Sequence, residues 1–376
     1  MVAGTGLCNN ARSATMRRFH QPAMRVRVRS ITRRTPPAFP IVFLAMLRIS
    51  TLFVAIALSL AALPPAHAAD RARGPDAFGG RSRVGVQVKI QSFTPDDARQ
   101  IRQTGFDFVR FGIWTDRLDR VDYRRQVDDA FAAARSARLP VLLTVRTLAP
   151  LRQANGPRDT TTDRPSLAAA GARFAGTLTR LAAQYGHALV ALELWNEPDL
   201  SRYWPTGDVT HTFPPFAEGL CAGLAGRRSG VPVVGFGFAR APLRGSVPDR
   251  LLAGVYAASP ACLDAVSYHA YGMTPIQIRD ASRDIRARYG LPALVTEDGV
   301  ASVGVGGDAR QARRVRTLLD ARATLGTPLL SVYEWADTAN ANDAAQRSYG
   351  LVRADRSPKP ALDSASASLR ATASQP

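Results

Sequence analysis

The chain has 376 residues, 46% of them hydrophobic, and carries 49 Lys and Arg against 30 Asp and Glu, a formal net charge of +19. So apolar a chain is not wholly disordered, and its length allows one large domain or two small ones. The charge suggests a nucleic-acid partner only until its placement is read. Nine of the basic residues precede residue 69, where there is no Asp or Glu, and the rest are spread over helix-like segments without tight runs or aromatic interleaving. No nucleic-acid partner is expected, although such a surface is compatible with a weak attraction to an anionic polysaccharide.

Residues 1–45 are Arg-rich, lack periodicity and read as an untranslated or disordered leader, with Met46 opening the precursor. Residues 46–68 have a basic start at Arg48, an apolar stretch from Thr51 to Leu63, and Ala66 and Ala68 in A-x-A spacing. That pattern predicts a signal peptide cleaved near Ala68, and hence a secreted or periplasmic protein with no stable membrane insertion. The competing reading is an uncleaved anchor over Ile41–Leu63, but Arg48 lies inside it and an exit site follows. Residues 69–376 then form the mature chain.

Along that chain strand-like and helix-like patterns alternate. Strands are predicted at Arg83–Ile90, Phe106–Phe111, Pro140–Val145, Leu189–Leu194, Val231–Phe238, Leu263–Tyr268, Pro292–Thr296 and Leu329–Glu334. The first helix is signalled by Thr94 as N-cap, Pro95 at the first helical position, Asp96 and Asp97 in the first turn and Gly105 beyond the end. Others are expected at Asp122–Ala137, Pro165–Tyr185, Phe216–Arg228, Pro248–Ala258, Pro275–Tyr289, Asp308–Leu325 and Pro360–Ala371, with a frayed tail beyond. Eight such units in series predict an α/β protein, a single closed (β/α)8 TIM barrel. Longer connections at Arg146–Asp163, Asp199–Pro215 and Ala336–Ser348 follow strands, on the side where a barrel carries its ligand loops. The mature chain keeps Cys221 and Cys262, which read equally as a disulfide or as two buried thiols. Neither has the spacing of a metal site.

Two glutamates stand out. Glu197 closes the apolar run in LVALELWNEPD, and Glu297 closes the run in PALVTEDG. At the strand ends of a parallel barrel, such carboxylates sit on the active-site rim. A pair brought together there can act on a glycosidic bond: one protonates the leaving oxygen while the other attacks the sugar carbon or activates water.

The motifs LWNEPD (Leu194–Asp199), SYHAYG (Ser267–Gly272), VTEDG (Val295–Gly299) and VYEWAD (Val332–Asp337) resemble the fourth, sixth, seventh and eighth strand ends of clan A retaining glycoside hydrolases. Within that clan the chain is most similar to family 39 and the exopolysaccharide-associated endoglycosidases beside it, with family 5 cellulases as near competitors. Tyr203 and Trp204 after the Asn-Glu-Pro turn, and the closing YGLVRADRSPKPA, carry the preference for family 39.

The resemblance implies a glycoside hydrolase catalytic domain over residues 69–376, working by double displacement on a polysaccharide, either exopolysaccharide or β-glycan, without metal or organic cofactor. It makes Glu197 the general acid/base, in an apolar or negatively charged setting, and Glu297 the ionised nucleophile. Asn196 would hydrogen-bond the sugar 2-hydroxyl, and Arg110, His269 and Tyr271 would surround Glu297. Trp335 would be a stacking platform and Trp204 a subsite wall. Duller readings stand beside these: Arg110 as a structural ion pair, His269 as a satisfied core histidine, and the tryptophans as packing. Glu334 reads as a sugar contact or a structural residue, and Asp199 and Asp298 as loop-capping carboxylates. Two further functions compete, an inactive carbohydrate-binding barrel and a transglycosylase using the same two glutamates. Asp298 departs from the small or aromatic residue many relatives carry at that position.

Overall fold

The computed structural model describes residue 78, residues 80–148, residue 151, residues 163–226 and residues 229–371. The leader and signal peptide expected over residues 1–68, the tail beyond Ala371, most of the connection after the third strand and the expected end of the fourth helix at Arg228 lie outside the described residues.

The strands are β1 (Arg83–Gln87), β2 (Phe108–Trp114), β3 (Val141–Arg146), β4 (Leu189–Leu194), β5 (Val233–Phe238), β6 (Ala265–His269), β7 (Ala293–Asp298) and β8 (Leu329–Val332). The helices are α1 (Pro95–Thr104), α2 (Val121–Ser136), α3 (Arg164–Tyr185), α4 (Val209–Leu224), α5 (Val247–Ala258), α6 (Pro275–Tyr289), α7 (Gly307–Asp320) and α8 (Pro360–Ala371). Each strand pairs in parallel with its sequence neighbours, and β8 returns to β1 from Arg83↔Leu329 to Val86↔Val332, closing the (β/α)8 barrel.

Period-two alternation builds the interior in layers. Phe108, Leu142, Ala191, Ala265, Leu294 and Leu329 form an apolar floor, closed from beneath by Phe78. Two residues further along the same strands come Arg110, Thr144, Glu193, Ser267, Thr296 and Ser331, all buried and all polar. The floor excludes water, and the belt above it supports the groups at the barrel mouth.

The helices pack outside, against the strands' outward faces. The closest crossing is α3 on α4, where a Cβ on Gly171 would fall 2.0 Å from the Phe216 carbonyl oxygen and one on Gly219 would fall 1.9 Å from that of Ala168. Only glycine permits that approach. Helix α4 starts seven residues before the expected Phe216: Asp208 caps it by accepting from the His211 amide, and Pro214 and Pro215 lie inside it rather than at its first turn. A pair of prolines reads as a helix start from sequence, but here the Asp208 cap begins the helix sooner. Cys221 on α4 and Cys262, just before β6, are disulfide-bonded with Cα atoms 5.1 Å apart. Among the described residues no helix is long and apolar enough to cross a membrane.

Candidate active site

The C-terminal ends of the strands converge on an open cavity of about 480 Å³. Glu197 reaches it through an irregular backbone. After β4 ends at Leu194, Trp195 and Glu197 both take left-handed conformations, with φ of 70° and 53°. Hydrogen bonds donated by the Trp195 amide to the Val145 carbonyl (2.9 Å) and by the Glu197 amide to the Gly237 carbonyl (2.7 Å) hold the turn. Such conformations cost non-glycine residues roughly 1–3 kcal/mol each and concentrate where a side chain must be aimed.

Glu297 is presented by a register shift. The pairing of β6 with β7 slips after Tyr268, which sets His269 opposite Glu297. Glu297 then faces the mouth, while Asp298 turns outward to accept from Arg314 of α7 at 2.5 Å. Asp298 is therefore an ion-pair partner rather than the loop cap expected; burial pushes its carboxyl up to about 7 against the pull of Arg314. Asp199 does cap, accepting from the Ala239 amide at 2.8 Å.

Both oxygens of Glu297 are engaged. Arg110 Nη1 donates to Oε1, and the Tyr271 hydroxyl donates to Oε2 at 2.8 Å. Burial alone would raise its pKa, but His269, Arg110 and Tyr271 together outweigh burial and hold the carboxyl below the ordinary glutamate range. Burial and the Glu297 charge push the Tyr271 phenol well above its usual value, so it stays a donor.

His269 Nδ1 lies 2.8 Å from Glu197 Oε1 and 3.5 Å from Glu297 Oε2. Burial disfavours its cation, yet the two carboxylates prevail and raise its basicity. Glu197, His269 and Glu297 each place one ligand-type atom within 4.8 Å of the others. That grouping could hold a metal by distance, but both Glu297 oxygens already have donors and the Arg110 cation stands beside them.

Arg110 is nearly the centre of the site. Besides Glu297 it contacts Glu193 Oε2 through Nε at 2.8 Å, Gln87 Oε1 at 2.7 Å and, through Nη2, Asn196 Oδ1 at 3.0 Å. Because a guanidinium only donates, the Asn196 oxygen must face it, leaving the amide NH2 for another partner.

Of the expected site residues, Glu197, Glu297, Asn196, Arg110, His269 and Tyr271 are brought together; the two tryptophans are not. Trp335 is buried at 2% exposure, its indole donating to Asp97 Oδ1 at 2.9 Å, because its amide bonds the Gln87 carbonyl and its ring packs outside the barrel under α1. Tyr333 faces the cavity in its stead, in an aromatic wall with Tyr271 and Tyr349. Trp204, also 2% exposed, packs on Trp195 and donates to Thr212 Oγ1, and its neighbour Tyr203 lines the cavity. Glu334, open between a sugar contact and a structural role, is buried and paired with Lys89 at 2.9 Å. Reading by sequence missed Glu193, Gln87, Trp114 and Arg146. Glu193 and Arg146 could have been found as lone charges within or ending apolar strands, where a buried charge demands a partner.

No family model and no curated protein matches the sequence. Solved structures do resemble it. A family 39 glycoside hydrolase from Bacteroides cellulosilyticus WH2 superposes with a TM-score of 0.60 at 19% identity, covering 78% of this chain and 64% of that one. A GH39 β-xylosidase from Caulobacter crescentus gives 0.56 at 18% identity, covering 76% and 70%. Fungal β-1,4-galactanases give 0.57 at 16% identity, covering 77% and 99%. The chain thus spans less than two thirds of the Bacteroides protein. At these identities the likeness is one of fold alone.

Proposed function

We propose that this chain is a secreted glycoside hydrolase that cleaves β-linked polysaccharide with retention of anomeric configuration. The observation that carries the reading is the approach of Glu197 and Glu297, whose facing oxygens lie within 4.8 Å across the barrel mouth. Retaining enzymes hold their carboxyl groups about 5–5.5 Å apart, whereas inverting enzymes need about 6.5–9.5 Å to admit a water between them. The shared fold with family 39 enzymes, a β-xylosidase and β-galactanases among its neighbours, supports the same class.

In the first step a Glu297 oxygen bonds to the anomeric carbon as its bond to the leaving oxygen breaks, and Glu197 gives that oxygen a proton. In the second, Glu197 takes a proton from a water whose oxygen bonds to the anomeric carbon, and Glu297 leaves. Arg110 and Tyr271 keep Glu297 ionised and aimed, and the free Asn196 amide is placed to donate to the sugar 2-hydroxyl. Secretion rests on the signal-peptide pattern of residues 46–68.

The test is to screen the protein against β-linked polysaccharides and aryl β-glycosides and to follow the first-formed anomer by NMR. Retention is expected, with turnover abolished in Glu297→Gln. An inverted first product, or unchanged turnover in that variant, overturns the assignment.

A further inference from the structure

Five cationic side chains line the cavity: Lys89, Arg110, Arg117, Arg146 and Arg202. Two are neutralised, Lys89 by Glu334 and Arg110 by Glu193 and Glu297. The other three have no acidic partner within 4.0 Å among the described residues. They form one wall with aromatic rings beneath them: the Arg146 guanidinium lies 4.3 Å from the Trp114 ring centre, Arg117 lies 5.8 Å from the same ring, and Arg202 lies 4.8 Å from that of Tyr203.

Arg146 is the informative member. It closes β3 as Arg110 sits in β2, its Nε is buried without a hydrogen-bond partner, and among the described residues no carboxylate pairs with it directly, Glu297 acting on it only from a distance. An arginine left so is costly unless an anion arrives, and its planar fork suits a carboxylate better than a hydroxyl. Stacking on Trp114 fixes the fork before any ligand binds. The acidic groups lining the cavity are Glu197 and Glu297 alone among the described residues, and Glu297 already belongs to Arg110.

We infer that the glycan taken by this site is anionic, with a carboxylate-bearing sugar seated against Arg146 and flanked by Arg117 and Arg202 in a subsite beside the two glutamates. This rests on the glycosidase reading and narrows its substrate to uronate-containing polymers. Neutral sugars would leave the basic wall uncompensated.

The test uses the full chain carrying Glu297→Gln, titrated calorimetrically with β-linked oligoglucuronates and oligomannuronates and with their carboxyl-reduced neutral counterparts of equal length and linkage. At least one uronate is expected to bind about tenfold or more tightly than its neutral counterpart, as a charge-assisted contact predicts. Added Arg146→Gln should erase that preference, and Arg202→Gln should weaken it, with thermal melts checking that each variant folds. Equal affinities within both pairs, no binding of either uronate, or a preference that persists in both arginine variants overturns the inference. The glycosidase reading fails separately: uronate binding with no turnover by the unmutated protein leaves the anionic subsite standing, and turnover of neutral glycans alone does the reverse.

Discussion

Glu193 holds Arg110 from beneath, its Oε2 lying 2.8 Å from Nε and 2.6 Å from Nη2, both side chains fully enclosed in the barrel. The contact fixes the guanidinium so that Nη1 and Nη2 point upward at Glu297 and Asn196. Thr144 adds a further donor to the same Glu193 oxygen at 2.7 Å. Replacing Glu193 with Gln therefore leaves a buried cation under-compensated and free to turn. A stability loss of about 3–5 kcal/mol is expected, measured by urea denaturation, with turnover falling as well.

Tyr271→Phe removes one of the two donors to Glu297 without changing ring volume. A hydrogen bond to a charged group is worth about 1.5–3 kcal/mol, so kcat/KM should drop roughly ten- to a hundredfold. The pH profile gives a second reading. Glu297 is depressed because His269, Arg110 and Tyr271 outweigh its burial, so the acid limb of kcat/KM should lie below the ordinary glutamate value. Losing Tyr271 should move that limb to higher pH. The stability this group contributes runs the same way: present above its unfolded-state value and lost as pH falls through the folded one.

Glu197 should behave as a proton donor. In Glu197→Ala, glycosides with poor leaving groups should lose roughly a hundred- to ten-thousandfold in rate, while activated aryl glycosides suffer less in the first step. Azide should restore turnover by attacking the glycosyl-enzyme, giving a glycosyl azide of retained configuration. Equal losses across leaving groups would remove Glu197 from that role.

The barrel was legible because short strand-like apolar runs and helix-like segments alternate along the chain and because helix ends carry capping chemistry, as at Thr94–Asp97. The meeting of the β4 and β7 ends was legible because carboxylates at the ends of apolar runs are rare enough to stand out, whereas His269 and Tyr271 beyond β6 were expected only from the resemblance of SYHAYG. What sequence could not show was side-chain direction in the irregular backbone beyond the strands. Trp335 and Trp204 each lie within two residues of the aromatic that does line the cavity, and composition does not separate Tyr333 from Trp335 or Tyr203 from Trp204. Glu193 was hidden in another way: it lies mid-strand, where an apolar pattern discourages asking what a single charge is doing.

The aromatic exchange is itself open to experiment. Tyr333→Ala should raise KM for oligosaccharides and leave the melting temperature nearly unchanged, because the ring faces the cavity. Trp335→Ala should do the opposite, since it empties a buried site and removes one donor to Asp97, with a cost of about 3–5 kcal/mol in stability. A loss of affinity with Trp335→Ala at full stability would restore the tryptophan as the sugar platform.

The disulfide can be separated from catalysis because of where it sits. Cys221 lies near the end of α4 and Cys262 just before β6, on the face of the barrel where strands begin, while both glutamates stand where strands finish. A bridge across a separation of 41 residues restricts the unfolded chain by about 4 kcal/mol in the chain-entropy account. The double variant Cys221→Ala/Cys262→Ala should thus melt roughly 10 °C lower, and wild-type protein in reductant should follow it. Activity at room temperature should be retained in both. A fall in kcat before any fall in folded population would mean that the bridge, through α4 and β6, also sets the position of His269.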